Sequence, residues 1–140
     1  MVLVDTSAWI ELHRANGDIA VKRAVCGLLD EFEATLCGPV EMEFLGGARP
    51  DQRDRLQSWF RVLPYLRNDQ KLWRNAARNY SNLRQHGLTV PWNDILIATI
   101  TLGANCRLYA TDQHFSAMAP ILGLALYQPG YGGMFAPESD

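Results

Sequence analysis

The sequence predicts one α/β domain built on a mostly parallel sheet with helices over both faces. Three observations predict it. Short apolar runs alternate with segments of helical period along the chain, the order expected of βαβ units. At 140 residues, 48% of them hydrophobic, the chain is long enough for one core and too apolar for a disordered protein. Two acids directly follow strand-like runs, Asp5 after Val2-Leu3-Val4 and Asp112 after Leu108-Tyr109-Ala110-Thr111. A parallel sheet gathers its ligands at such carboxyl ends.

Val2 to Val4 reads as a short buried strand, and Thr6 or Ser7 offers a side-chain oxygen to cap a helix from Ala8 to about Arg14. Asn16-Gly17 breaks that helix. Asp18 caps a longer one, in which Val21, Val25, Leu28, Leu29 and Phe32 recur at helical spacing. Thr35-Leu36-Cys37 is a second strand, and Pro39 suits the first turn of a helix through Glu43 to Leu45, ended by Gly46-Gly47. Asp51 to Phe60 is helical, and Val62-Leu63 before Pro64 reads as a short edge strand. From Asp69 to His86 an apolar stripe of Leu72, Trp73, Ala76, Ala77, Tyr80 and Leu83 faces away from Lys71, Arg74 and Arg78, and Gly87 stops the helix. Pro91-Trp92-Asn93 starts a helix apolar on nearly all sides, Ile95 to Leu102, which must be buried against the sheet. Leu108 to Ala110 is a strand, Asp112 to Met118 a turn or short helix, and Leu124 to Tyr127 a last strand. Residues 1–128 therefore form the domain, and 129–140, which lack any periodic pattern, a flexible tail.

The net charge of −2 hides an asymmetry. Residues 1–48 carry three basic and eight acidic side chains, whereas 49–84 carry nine basic and three acidic. A basic middle beside an acidic start suits a polyanion held near a metal. Within it, Lys71, Arg74 and Arg78 share one helical face and are the candidate residues to bind such a polyanion. Cys26, Cys37 and Cys106 lack the close pairs of a zinc site and read as free thiols of a reducing compartment. No basic leader precedes Asp5, and no apolar run approaches the roughly 18 residues of a membrane span, so the expected location is the cytoplasm.

Two further acids stand in helix-like segments: Glu43 before Phe44-Leu45-Gly46-Gly47, and Asp94 before Ile95-Leu96-Ile97-Ala98. A lone Asp at a strand end is commonly a helix cap. Four acids drawn to one end of a sheet are different, because like charges in a partly desolvated place raise one another's pKa. A divalent cation removes that cost, and Mg²⁺ favours a few carboxylates together with water and phosphate oxygens.

In order and spacing, Val4-Asp5-Thr6-Ser7, Glu43-Phe44-Leu45-Gly46-Gly47, Pro91-Trp92-Asn93-Asp94-Ile95-Leu96-Ile97-Ala98 and Thr111-Asp112-Gln113-His114-Phe115 resemble the PIN-domain ribonucleases. Within them they are similar to the VapC-type toxins of bacterial toxin–antitoxin pairs. The resemblance spans nearly the whole chain. It implies an α/β/α sandwich with about five strands and an acidic catalytic quartet of Asp5, Glu43, Asp94 and Asp112. Asp5, Asp94 and Asp112 would be ligands of Mg²⁺ or Mn²⁺, with Thr6, Ser7 and Thr111 in support. It further implies metal-assisted phosphodiester hydrolysis of structured RNA, such as tRNA or an rRNA loop, a small antitoxin partner, and a homodimer. Many relatives have Asp before the motif phenylalanine, where this chain has His114. Two other functions compete with this one. A haloacid-dehalogenase-type phosphohydrolase also begins with a strand and Asp, but Asp5-Thr6-Ser7 lacks its second acid; a degenerate PIN module would not need four intact acids.

The remaining histidines, His13 and His86, read with His114 as surface or capping residues. Trp59, Trp73 and Trp92 read as core or interface, and Trp9 as packing on a dimer or partner surface. Glu41, two residues from Glu43 on a helix, points elsewhere.

Overall fold

Four short strands, all parallel, form the sheet in this computed structural model, which describes residues 1–130. They are β1 (Val2–Val4), β2 (Ala34–Cys37), β3 (Tyr65–Leu66) and β4 (Arg107–Tyr109), in the order β3-β2-β1-β4. Leu3 at the centre lies opposite Thr35 on one side and Leu108 on the other. The chain lays strands outward from β1 to β3, then returns to place β4 on the other flank of β1. Strand order therefore reverses between β1 and β4, the crevice where open α/β sheets bind ligands.

The helices are α1 (Thr6–His13), α2 (Ile19–Asp30), α3 (Gly38–Gly47), α4 (Pro50–Phe60), α5 (Lys71–Gln85), α6 (Trp92–Gly103) and α7 (Gln113–Leu122). α1 and α2 pack together, as do α5, α6 and α7, while α3 touches both α1 and α6. The result is a three-layer α/β/α sandwich. The core explains why β1 and α6 are apolar almost throughout: Val2, Leu3 and Val4 are fully buried, as are Ile97 and Ala98. None of the helices among the described residues is long and apolar enough to cross a membrane.

Several local expectations are corrected. The cap of α1 is Asp5 itself, so the helix begins at Thr6. Trp9 is a core residue, its indole N–H donating to the Val4 carbonyl at 3.0 Å and its ring edge-on to Phe60. Phe32 leaves the apolar stripe of α2 and is 91% exposed. It takes a left-handed φ of 56° while its N–H bonds the Leu29 carbonyl and the Glu33 N–H bonds that of Leu28. That is the bonding of a Schellman stop, with Phe where Gly is usual. Val62 and Leu63 do not form the edge strand. Pro64 offers its carbonyl to the Leu36 N–H and the Thr35 hydroxyl, and pairing starts only after it, with Tyr65 opposite Leu36.

On α5 the burial follows one narrow stripe, Leu72, Ala76, Tyr80 and Leu83, whereas Trp73 and Ala77, each rotated about 100° from it, are exposed. Trp59 and Trp92 are exposed as well, so none of these three tryptophans belongs to the core. The expected last strand shrinks to one parallel bridge between Leu108 and Leu126. Four strands and a bridge thus stand where about five strands were expected. Of the tail 129–140, the part from 131 on lies outside the described residues.

Candidate active site

Asp5 stands where β1 ends and α1 begins, and its two carboxylate oxygens meet different fates. Oδ2 caps the helix, accepting from the Ser7 N–H at 3.0 Å and the Ser7 hydroxyl at 2.7 Å. Oδ1 has no hydrogen-bond partner among the described residues, although Asp5 is only 3% exposed. The buried Thr6 hydroxyl beside it is also without one. Such atoms carry a desolvation penalty of about 1–3 kcal/mol each, so two in succession mark a place shaped for a group the polypeptide does not supply.

β4 ends on the same device. Asp112 caps α7, its Oδ1 accepting from the His114 N–H at 2.9 Å. Asp94 arrives on the first turn of α6, where the helix dipole favours an anion, and is 7% exposed. His114 Nδ1 lies 2.8 Å from Asp94 Oδ2 and 3.2 Å from Asp112 Oδ1. Donor atoms of these three residues all fall within 4.8 Å of one another. Glu43 comes from α3 on the exposed side, its Oε2 accepting from Asn93 Nδ2 at 3.3 Å, while the same amide leans on the Pro39 carbonyl at 3.4 Å. Ser7 joins the two strand ends, since its Oγ also accepts from the Thr111 N–H at 3.0 Å.

All four acids line one cavity of about 630 Å³. The acids share this lining with His13, Arg14, Arg49, Gln52 and Arg55. Burial, opposed by the Ser7 hydrogen bonds and reinforced by the charges of Asp94 and Glu43, pushes the Asp5 carboxyl up from 3.8 to about 6. Burial also raises Asp94; the His114 bond pulls it back, and Asp112 and Glu43 push it up again. A divalent cation among these oxygens reverses every one of the raising effects except burial. The donor set therefore fits one: hard carboxylate oxygens, two buried orphan oxygens, and, among the described residues, no lysine or arginine ion-paired to the four acids. His13 is shifted the other way, its imidazole pushed down first by burial and then by Arg55 and Lys22, and its ring packs on Phe44 and Trp59 at 5.4 and 5.1 Å.

The structure thus brings together Asp5, Glu43, Asp94 and Asp112, with Thr6 and Ser7 on the same lining. Thr111 contributes its backbone N–H, and its residue is otherwise exposed. Lys71, Arg74 and Arg78 are exposed on α5 and line no part of this cavity; Lys71 borders a separate one of about 480 Å³. Neither Asn93 nor His13, Arg14, Arg49, Gln52 and Arg55 stands out in the sequence as a site residue, although Arg49 and Arg55 belong to the basic stretch suited to a polyanion. A signal for two of them was present, because Thr6, Ile10 and His13, and Ser7 and Arg14, are spaced to share a face of the helix that Asp5 caps. Glu41 does point elsewhere, toward the Tyr65 hydroxyl.

The sequence pattern of the PIN domain family matches residues 2–120. Ribonuclease VapC11 of Mycobacterium tuberculosis is 39% identical over 129 residues, which cover 89% of this chain and 96% of the relative. Among solved structures, VapBC2 from Rickettsia felis, bound to a DNA fragment from its promoter, is similar with a TM-score of 0.72 at 18% identity, over 91% of this chain and 98% of that one. A toxin–antitoxin complex from Klebsiella pneumoniae is similar with a TM-score of 0.66 at 16% identity, over 100% of both chains. At these identities the structural likeness concerns the fold.

Proposed function

The chain belongs to the PIN domain family, and we propose that it is a metal-dependent endoribonuclease, the toxin of a toxin–antitoxin pair, acting on structured RNA such as tRNA or an rRNA loop. One observation carries the chemistry: four acids from four separate elements line one cavity, and the deepest of them keeps a buried oxygen with no partner among the described residues. A module that only bound RNA or a protein would gain nothing from that concentration of like charge. The likeness to a ribonuclease over nearly the full length of both chains supports the same reading.

In this reading Asp5, Asp94 and Asp112 hold Mg²⁺ or Mn²⁺. A cation bound there lowers the pKa of an attacking water and offsets the charge that develops on the phosphate. Glu43, open to solvent and steadied by Asn93, is placed to orient or deprotonate the water. Ser7 fixes the Asp5 carboxylate and ties it to the β4 end, so the distance between two ligand positions depends on one hydroxyl. Arg14, Arg49 and Arg55 on the cavity lining hold phosphates flanking the scissile bond, and Lys71, Arg74 and Arg78 on α5 take more distant ones. The expected setting is the cytoplasm, with a small antitoxin and a second copy of the chain as partners.

Purified protein should cleave RNA with Mg²⁺ or Mn²⁺ and be silent in EDTA, and Asp94→Asn should be folded and inactive. Undiminished cleavage in the chelator ends the proposal.

A further inference from the structure

We propose that His114 is itself a ligand of the cation, and that this imidazole shifts the site's preference from Mg²⁺ toward Mn²⁺. The inference rests on the metal-dependent reading above and concerns which ion that site takes.

The geometry around the ring carries it. His114 Nδ1 stands 2.8 Å from one oxygen of Asp94 and 3.2 Å from one of Asp112. Neighbouring ligands around a six-coordinate ion with bonds of about 2.1 Å are roughly 3 Å apart, so these separations match two edges of one coordination shell. Without a cation, ionised carboxylates offer only lone pairs, and Nδ1 must carry a proton to meet them. A cation taking that place meets the neutral tautomer that carries its proton on Nε2, whose Nδ1 lone pair faces the same point as the two oxygens. The neutral ring thus adds a donor beside Asp94 and Asp112 without adding negative charge to the site.

The ring is also held in place. The His114 N–H donates to Asp112 Oδ1 at 2.9 Å in the first turn of α7, and the next residue, Phe115, is buried and pins that turn to the core. The ligand position thus follows from the backbone that sets Asp112. Asp5, whose Oδ1 has no partner among the described residues, and Glu43 share a cavity with Asp94 and Asp112, the two acids that His114 touches.

A nitrogen among the ligands changes the choice of ion. Mg²⁺ prefers hard oxygen and gains little from imidazole, whereas Mn²⁺ keeps its affinity for carboxylates and, like the later first-row ions, accepts nitrogen.

The test uses the full chain without RNA, so its readout is independent of cleavage. Mn²⁺ bound to the wild-type protein should show nitrogen hyperfine coupling in pulsed EPR, changed in pattern by ¹⁵N-histidine labelling and absent in His114→Asp. Binding titrations should show the ratio of Mg²⁺ to Mn²⁺ dissociation constants falling at least about tenfold in His114→Asp, since even a residue that only supports a ligand changes metal affinity by that factor. His114→Asp keeps a donor at this position, and His114→Gln serves as a second variant should the aspartate disturb α7. Mn²⁺ binding without nitrogen coupling, coupling that persists in both variants and so comes from His13, or an unchanged ratio overturns this inference while leaving the metal site standing. Failure of Mn²⁺ to bind the wild type at all overturns the metal-dependent reading with it.

Discussion

The two corners that hold the site, β1 to α1 and β4 to α7, are built alike and end up in different electrostatic states. In each, a parallel strand stops at Asp, and the carboxylate caps the next helix through the N–H two residues on. Capping uses one oxygen, and burial decides the condition of the other. At Asp5 the second oxygen is dry and alone, and the carboxyl is pushed up to about 6. Asp112 is half-buried, and its capping Oδ1 also stands close to an imidazole. A helix cap and a metal ligand are therefore not competing explanations for a strand-end Asp: the carboxylate has enough lone pairs for both, and a second oxygen without a partner in a dry place is what separates the corners.

The largest expected effect breaks the comparison by neutralising each corner in turn. Asp5→Asn and Asp112→Asn should each lose cleavage by at least about a hundredfold, because several kcal/mol of charge stabilisation goes with the cation. Both should also lose the stabilisation that saturating Mn²⁺ gives the wild type, about 2.7 kcal/mol at a hundredfold excess over Kd. In chelator the two should part. Asp5→Asn, which can still cap, should be more stable than wild type near pH 7.5 by about 2 kcal/mol, somewhat less than the full 1.36 kcal/mol per unit of its raised pKa because the amide is buried too. Asp112→Asn, at the more solvated corner, should change little. Thermal melts with and without Mn²⁺ check all of this, and equal behaviour of the two variants in chelator would erase the distinction drawn between the corners.

What was legible in the sequence follows from what each feature depends on. Asp5 and Asp112 could be found because a strand end in a parallel sheet is local: apolar residues run out, an acid follows, and a helix begins. Asp94 and Glu43 were found by motif resemblance, since nothing in their own spacing says that α6 and α3 converge on β1. The cap of α1 was misassigned to Thr6 or Ser7 because all three neighbours are good caps and only the backbone turn chooses among them. The basic residues that share the acids' cavity were not singled out, for a different reason. Lys71, Arg74 and Arg78 form the tidier helical row, but where a row points is a tertiary property, and here Arg14, Arg49 and Arg55 are the ones that reach the cavity. Val62-Leu63 lost its strand to Tyr65–Leu66 because pairing with β2 runs through the Pro64 carbonyl, which no propensity records.

Ser7 bonds both corners, and removing its hydroxyl sharpens the comparison from the other side. Ser7→Ala deletes the 2.7 Å bond to Asp5 and leaves the Thr111 N–H without its acceptor. The expected loss is about 1.5 kcal/mol, a charge-assisted hydrogen bond partly replaced by water at the exposed Thr111 end. Because the lost bond favours the ionised carboxylate, the Asp5 pKa should move further upward. Denaturant unfolding and a carboxyl titration of Asp5 by NMR check the two parts, and an unmoved Asp5 titration would show that the hydroxyl does not hold that carboxylate in solution.

The smallest effect is the pH dependence of the metal-free protein, and its sign separates the corners. Asp5 has a folded pKa of about 6 and an unfolded one near 3.8, so between these values the native state binds more protons than the unfolded chain. Its contribution to stability therefore rises as pH falls through 6 and is complete only below the unfolded value. Between pH 7 and pH 5 the linkage relation makes that rise about 1 kcal/mol, on a residue buried enough that solvent screening takes little from it. His13 acts in the opposite sense: its imidazole is depressed in the fold, so its contribution is lost as pH falls through its unfolded value and the neutral ring must charge. The raw pH profile mixes the two, and the informative quantity is the wild type minus Asp5→Asn, measured in EDTA. That difference should move in favour of wild type as pH drops from 7 to 5, while the difference between wild type and Ser7→Ala should move the other way, because the variant's higher Asp5 pKa leaves it the more protonated of the two. A flat wild-type minus Asp5→Asn difference across that range would mean that the Asp5 carboxyl is solvated in solution, and that the contrast between the two corners is one of position and not of charge.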